Sequence, residues 1–230
     1  MDTPPNDGPA ADDRLARQLR GWGPVGILAT LVILLVGNYP IAPMAGLLVL
    51  LWAWRSRTPW AEIGLGRPKS WARTVAIGIV LGFVLKVAMK AVVMPLLGAD
   101  PVNRAFQFLQ GNTAALPGMI YLVVVGAGFG EEMVFRGFAF QRFRSLLGGS
   151  PWARVATIAI TSVGFGLVHI PGQGLPGAQQ ATIVGLVVGT IFAATGNLPL
   201  LMITHAVFDL TAVAMIYWRF ETWVAHLIFK

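Results

Sequence analysis

Two adjacent glutamates and an arginine lie inside an apolar stretch of this sequence. Glu131 and Glu132 are followed by Arg136, while residues 116–140 are otherwise apolar or small over a length that can cross a bilayer. An ionisable side chain at membrane depth costs about 2.5–3.5 kcal/mol on insertion scales, so such residues indicate function by default. Glu132 and Arg136 are four residues apart and can pair on one helix face. Glu131 is rotated from that pair by about 100°, so its carboxylate is free to take a proton from water.

Three further polar side chains occur in the apolar segments that follow. His169 ends one segment, and His205 and Asp209 are four residues apart in another, where imidazole and carboxylate share a helix face. If uncompensated, the six side chains together would cost on the order of 10 kcal/mol or more. We therefore predict that they converge on one buried polar site in the C-terminal half of the chain.

The residue types allow some catalytic chemistries and exclude others. The chain has no cysteine, so thiol nucleophiles and cysteine metal sites are excluded. It also has no His-Glu-x-x-His run and no Gly-x-Ser-x-Gly elbow. What remains is a carboxylate base, with histidines and a second acid to orient it and to stabilise an oxyanion. Two alternatives stay open: a metal-dependent membrane hydrolase built on the histidines and carboxylates, and a non-enzymatic proton-coupled transporter or scaffold.

The composition indicates an integral membrane protein. The 230 residues are 56% hydrophobic and 12% charged, whereas ordinary soluble domains are about 25% charged. The net charge of +7 comes from basic residues that lie beside apolar segments and set orientation, and the sequence carries no signal for nucleic-acid binding. We predict a multi-pass protein of a bacterial plasma membrane whose partners are the lipid bilayer and a substrate.

The apolar segments predict an all-α, polytopic bundle of about seven to eight transmembrane helices. Residues 1–21 are predicted to be a disordered or surface-lying cytoplasmic tail, and residues 22–230 to form the transmembrane domain, with the motifs in a core at about 114–218. Polar turn residues at 37–40 divide the first apolar segment into a hairpin of two short spans. The further spans are predicted at 71–97, 116–140, 153–169, 179–196 and 200–218, and residues 222–229 form either an interfacial helix or the start of an eighth span.

Basic residues predict the orientation of these spans. Arginines precede the hairpin, and a basic segment at 55–73 follows it, so both the N-terminus and that segment are predicted to be cytoplasmic. With a rise of about 1.5 Å per residue, Glu131 and His205 then come to similar depths, roughly 8 and 9 Å from the cytoplasmic edge. His169 does not fit a straight fifth span. Either that span is tilted or starts deeper, or the glycines of the Glu131 helix break it.

Two other features of the sequence allow more than one interpretation. Lys86 and Lys90 are four apart in the third span, after Gly78 and Gly82, which are spaced for close helix packing. We interpret the lysines as snorkelling side chains or bundle contacts, with a role in substrate binding as the alternative. Residues 170–178 are uncharged and rich in Gly and Pro, which predicts an outer or re-entrant loop.

Three motifs taken together resemble those of a known family. They are Glu-Glu-x-x-x-Arg at 131–136, Phe-x-x-x-His at 165–169 and His-x-x-x-Asp at 205–209. In order and helix placement they are similar to the motifs of the CAAX-protease and bacteriocin-processing family of intramembrane glutamic endopeptidases. The resemblance covers about the second half of the chain.

The resemblance implies an activity and a role for each motif residue. Glu131 would activate water, His169 would help to position it, and His205 with Asp209 would form the oxyanion-stabilising pair. The second glutamate and the arginine of the first motif would hold the site in shape. The last motif position is often Asn in the eukaryotic prenyl-protein branch and is Asp209 here. The implied function is metal-independent, cofactor-free hydrolysis of a peptide bond near the cytoplasmic face, in a peptide or protein substrate.

Overall fold

Helices joined by short turns make up the part of the chain that the computed structural model describes, which is residues 8–36 and 42–229. No strand occurs in those residues, so the all-α prediction is confirmed. The helices in chain order are α1 (Gly8–Arg20), α2 (Pro24–Val36), α3 (Ala42–Arg55), α4 (Trp71–Leu96), α5 (Thr113–Leu147), α6 (Pro151–Leu167), α7 (Ile170–Thr195), α8 (Leu198–Tyr217) and α9 (Glu221–Ala225).

Four of these helices, α4, α5, α7 and α8, are long and apolar enough to cross a membrane. A fifth span results if α1 and α2, which meet at a 58° bend, are taken together. The predicted number of seven to eight spans is therefore not confirmed among the residues described. One reason is length, because α2 has 13 residues and α3 has 14. At about 1.5 Å per residue each reaches about 20 Å, less than a bilayer core of about 30 Å.

Large apolar side chains cover the outside of the bundle. Leu28, Val80 and Trp54 are each 62% exposed, on three different helices, and many other large apolar side chains are similarly exposed. A surface of this extent is unfavourable in water and suits lipid. The chain is a multi-pass membrane protein.

The α2–α3 hairpin ends against the helix that carries the glutamates. The predicted turn at 37–40 lies outside the described residues, but α2 and α3 pack on each other on either side of it. A Cβ atom at Gly130 of α5 would collide with the carbonyl oxygen of Ala42, the first residue of α3. The hairpin therefore contacts α5 directly beside Glu131.

Helix α5 is widened rather than broken at its glycines. Residues Leu122–Glu131 and Met133–Ala139 have π-helical hydrogen bonding within a continuous helix. A helix break at these glycines, one of the explanations for the depth of His169, is therefore wrong. The glycines serve close packing on both sides instead, since Gly130 meets α3 and a Cβ at Gly128 would lie 3.0 Å from Ala206 of α8. Extended π-helix is rare and occurs often at functional sites.

Helix α4 packs closely on α8 through the two predicted glycines. A Cβ at Gly78 would lie 2.8 Å from a methyl carbon of Ile203, and one at Gly82 would collide with the carbonyl oxygen of Thr204. The predicted small-residue packing is thus confirmed. One and two turns further along the same face of α4 stand Lys86 and Lys90.

The N-terminal segment was predicted to be a disordered or surface-lying tail. Residues Gly8–Arg20 form a helix, and Ala16 is buried on the bundle. Arg142 of α5 donates to the carbonyl oxygens of Arg20 and Gly21 at 2.5 and 2.7 Å, which ties the end of this helix to the bundle. Residues 1–7 lie outside the described part of the chain, and the division into two regions at residue 21 stays a prediction.

Two further segments differ from the sequence-based expectation. Residues 170–178 are not a loop but the first part of α7, which is interrupted at Gly174, where φ is +66°. Glycine tolerates this conformation without steric cost, and Pro171 fits the first turn of a helix, so a Gly- and Pro-rich segment could be built into α7. Near the C-terminus, α9 has five residues and is too short to be an eighth span.

The orientation of the bundle can be tested by thiol labelling, because the chain contains no cysteine. Arg17, Lys69 and Arg104 are exposed, and the basic segments that contain the first two predict the cytoplasmic side. In intact cells, an impermeant thiol reagent should label Arg104→Cys and leave Arg17→Cys and Lys69→Cys unlabelled. Labelling of only one of the latter two would contradict the α2–α3 hairpin.

Candidate active site

Glu132 is the hydrogen-bond centre of the polar cluster. Its Oε1 accepts from Arg136 Nη1 at 3.0 Å and from His205 Nδ1 at 2.8 Å. The side chains of Glu132 and Arg136 are 1% and 3% exposed. The Glu132–Arg136 pair was predicted from its spacing, whereas the bond to His205 joins α5 to α8 and no spacing within one helix predicts it. A buried carboxylate with two such donors holds both partners in place.

The bond to Glu132 determines which nitrogen of the His205 ring points toward the other acids. Glu132 is paired with an arginine and is therefore an ionised carboxylate, which only accepts hydrogen bonds. Nδ1 of His205 must then be the donor and carry a proton. Nε2 then lies 3.6 Å from Asp209 Oδ2 and 3.9 Å from Glu131 Oε2. His205 and Asp209 therefore share a helix face, as predicted, and their side chains approach each other closely without a short hydrogen bond. The imidazole stands between two carboxylates that face a cavity.

An aromatic ring connects the three motifs. The ring centroid of Phe165 lies 4.4 Å from the guanidinium carbon of Arg136, 4.6 Å from the His169 ring and 5.8 Å from the His205 ring. The guanidinium is placed for a cation–π interaction. Phe165 is 2% exposed, so it fixes the separation of these groups as part of the core.

His169 occupies the connection between α6 and α7. It lies two residues after Leu167, the last residue of α6, and directly before Ile170, and its Nδ1 donates to the carbonyl oxygen of Phe165 at 2.7 Å. A carbonyl only accepts hydrogen bonds, so the proton of the neutral ring is on Nδ1 and Nε2 is an acceptor. The carbonyl released at the end of α6 thus orients the ring.

One cavity collects the four residues predicted to be catalytic. It has a volume of about 650 Å³, and its lining includes Glu131, His169, His205 and Asp209. Much of the remaining wall is apolar, from α5, α8 and the α4–α5 loop. Glu131 Oε2 is buried and has no hydrogen-bond partner in the described part of the chain. Its carboxylate is therefore available to a water molecule or a substrate.

Four polar residues that line this cavity were not predicted as catalytic or site-organising: Lys86, Asn103, Gln173 and Gln180. Lys86 Nζ donates to Gln180 Oε1 at 3.5 Å. The interpretation of the lysines as snorkelling is wrong, since Lys86 and Lys90 are 6% and 8% exposed. Lys90 is a bundle contact, with its Nζ 3.0 Å from Glu221 Oε1. From the sequence alone, a lysine in an apolar helix does not show whether it lines a buried cavity, because that depends on which residues of other helices surround it.

The geometry also bears on metal binding. Within residues 8–36 and 42–229, no three histidine, aspartate or glutamate side chains are arranged to hold a metal ion. Chelator treatment of the active protein tests the metal-dependent alternative directly.

Comparison with known proteins connects this site to a family. Residues 113–211, which include all three motifs, match the family model described as type II CAAX prenyl endopeptidase Rce1-like. This match supports an assignment of the motif-bearing part of the chain to the CAAX-protease family. No curated protein and no solved structure matches the chain. The similarity to the Rce1-like family supports a protease function, and hence a peptide or protein substrate.

Proposed function

We propose that this protein is a metal-independent glutamic endopeptidase that hydrolyses a peptide bond within the membrane. The observation that carries the proposal is the position of the His205 ring, which Glu132 anchors at Nδ1 so that Nε2 lies near both Glu131 and Asp209 in the cavity. Anchored in this way, the ring needs no reorganisation during the reaction, which is the condition for electrostatic stabilisation of a transition state.

Glu131 is the proposed general base. A water molecule beside it, oriented by the Nε2 acceptor of His169, would give a proton to the carboxylate as its oxygen attacks the scissile carbonyl carbon. The new C–O bond forms while the carbonyl π electrons move to oxygen, giving an oxyanion. When the C–N bond breaks, the proton held by Glu131 passes to the leaving amine. The carboxylate is thereby regenerated.

His205 is the proposed oxyanion donor, through a proton on Nε2. An ionised carboxylate can only accept hydrogen bonds, so Asp209 in its ionised form is no donor to an oxyanion. Its Oδ2 lies 3.6 Å from His205 Nε2, where a negative charge stabilises the imidazolium form of the ring. Asp209 would therefore act through His205. This assigns a role to the position at which the sequence departs from the Asn of the eukaryotic branch.

The side of the membrane on which cleavage occurs depends on which end of the bundle gives access to the cavity. Its lining includes Asn103 and Phe106 of the α4–α5 loop, which is at the opposite end of α4 from the basic segment at 55–73. Access from the loop end, together with a cytoplasmic N-terminus, predicts cleavage near the outer face, whereas access from the basic end predicts cleavage near the cytoplasmic face. The labelling experiment at Arg17 and Arg104, combined with the side on which the product is released, distinguishes them.

Hydrolysis is expected to survive removal of divalent metals. Purified protein in proteoliposomes, supplied with a fluorogenic peptide that spans the bilayer, should cleave it at an unchanged rate after treatment with EDTA or phenanthroline. The reason is that a carboxylate base and an imidazolium supply the proton transfer and the charge stabilisation that zinc would otherwise provide. Loss of activity with chelator, and its return on addition of zinc, would instead support the metal-dependent hydrolase.

A further inference from the structure

A buried lysine stands at the junction of two cavities. Lys86 of α4 lines the cavity that contains Glu131 and also a second cavity of about 260 Å³, whose wall includes Lys90 and Glu221. Asn103 and Gln180 likewise line both cavities, whereas Glu131 lines only the larger one. The ammonium of Lys86 therefore adjoins the space that a peptide bound at Glu131 would fill.

The protein uses only part of the binding capacity of this ammonium. Lys86 Nζ donates one long hydrogen bond, 3.5 Å to Gln180 Oε1, and lies 4.7 Å from the centroid of the Phe208 ring. An ammonium has three donors. In the described residues, no carboxylate lies within ion-pair distance of it. A buried charge in this situation is costly and favours the binding of an anion.

Lys90, one turn further along α4, differs from Lys86 because its ammonium forms an ion pair within the protein. Its Nζ lies 3.0 Å from Glu221 Oε1. The same oxygen accepts from the backbone nitrogen of Asn103 at 3.0 Å, and Glu221 Oε2 accepts from Gln107 Nε2 at 2.9 Å. Both oxygens of Glu221 therefore have closer partners, and this acid interacts with Lys86 only at a distance.

The other nearby acids also have closer partners than Lys86. Asp100 lies in the α4–α5 loop, where hydrogen bonds from the backbone nitrogen of Val102 and from Arg104 hold its pKa below the usual range. Asp209 interacts with Lys86 electrostatically, but its Oδ2 approaches His205 Nε2 at 3.6 Å. The charge of Lys86 is balanced at a distance while its donors remain available.

We propose that Lys86, with Gln180 beside it, binds a carboxylate of the peptide substrate. The inference rests on the proposed function, because it requires a peptide in the Glu131 cavity. A carboxylate that enters this largely apolar cavity loses its water and needs a cation at contact distance. The carboxylate is either the free C-terminus of the substrate or an acidic side chain near the cleaved bond. In both cases Lys86 selects substrates by charge and fixes how far the chain extends past Glu131.

The inference is tested by binding, separately from hydrolysis. The full chain with Glu131→Gln is placed in nanodiscs, and the dissociation constant is measured for a fluorescent ten-residue apolar peptide that contains one glutamate. The peptide is prepared in its native form, with an amidated C-terminus, and with the glutamate replaced by glutamine. Removing the carboxylate that Lys86 binds should weaken binding by at least about 30-fold, the effect of breaking a buried charge pair. The other modified peptide, which keeps that carboxylate, should bind like the native one, and this identifies the source of the carboxylate.

Substitution of the lysine provides the matching half of the experiment. With Lys86→Met, all three peptides should bind with the same weak affinity, while the exposed control Lys69→Met should retain the 30-fold difference. Equal binding of the three peptides to the protein that retains Lys86 would overturn the inference. So would a Lys86→Met variant that weakens all peptides by the same factor, since that is the result for a simple counter-ion of Asp209.

The two proposals fail in different ways. If the native protein cleaves the native peptide and both modified peptides with the same KM, the peptidase function stands and the proposed role of Lys86 is wrong. If no peptide is cleaved but binding to the Glu131→Gln protein depends on the carboxylate and on Lys86, the peptidase function is wrong and the carboxylate site stands.

Discussion

Replacing Glu131 by Gln is expected to lower the rate of peptide hydrolysis by about 10²–10⁴-fold, the range for loss of a general base. The amide keeps the size of the side chain but does not take a proton from water. Stability should be unchanged or higher, because a neutral amide costs less in the membrane than a carboxylate and Glu131 Oε2 has no hydrogen-bond partner in the described residues. The measurements are kcat/KM in proteoliposomes and the thermal unfolding temperature in detergent.

Variants of the two site histidines and of the third histidine in the chain complete this test. His169→Ala and His205→Ala should also lose activity, and combining either with Glu131→Gln should add little, because members of one catalytic unit are not additive. His226 is exposed, and among the described residues its side chain bonds to the carbonyl of Thr222 in its own turn and to no other group, so His226→Ala should cleave at the parental rate. A folded Glu131→Gln protein with near-parental activity would contradict the glutamic mechanism. A relay or scaffold would then be the better account of these buried charges.

Replacing Arg136 by Ala is expected to destabilise the protein by about 3–5 kcal/mol, the cost of removing one partner of a buried ion pair. Arg136 is 2% exposed, and its guanidinium both donates to Glu132 at 3.0 Å and lies against the Phe165 ring. Among the described residues, the loss leaves His205 as the one hydrogen-bond partner of the Glu132 carboxylate. The unfolding free energy and the yield of folded protein report this effect.

A second substitution separates charge from packing. Glu132→Gln in the Arg136→Ala background removes the stranded charge, so part of the lost stability should return. Activity should not return, because the amide holds His205 less firmly than the carboxylate does. Arg144 of the same helix is exposed, and Arg144→Ala should change stability by no more than about 0.5 kcal/mol. An Arg136→Ala protein that is fully stable and merely inactive would show that the pair is not structural.

Local spacing was sufficient to predict the parts of the site that lie within one helix. Residues four apart share a helix face whatever surrounds them, and the Glu132–Arg136 bond and the approach of His205 to Asp209 follow from that rule. The close packing of α4 on α8 at Gly78 was likewise predictable, since small residues at this spacing let helix backbones approach.

Distances between helices were not predictable in the same way. His169 did not fit a straight span because it lies in the α6–α7 connection, and α5 contains long π-helical stretches that change its geometry near Glu131. A rise of about 1.5 Å per residue assumes regular α-helix, so depth estimates fail where that assumption does. The α2 and α3 helices were predicted as two short spans, but neither alone is long enough to cross a membrane, and the helical start of α7 was predicted as a loop. Apolar composition alone does not distinguish a full span from a half-length helix or a broken one.

The sequence by itself determined the membrane class, the all-α architecture and the identity of the six ionisable residues, because the cost of charge in an apolar segment is a property of the segment alone. Only the tertiary structure decided that Glu132 anchors His205, that Phe165 connects the motifs and that Lys86 adjoins the same cavity. Those contacts join residues of different helices. Which side chains meet there depends on how the helices pack, and the spacing of residues along one helix does not show that.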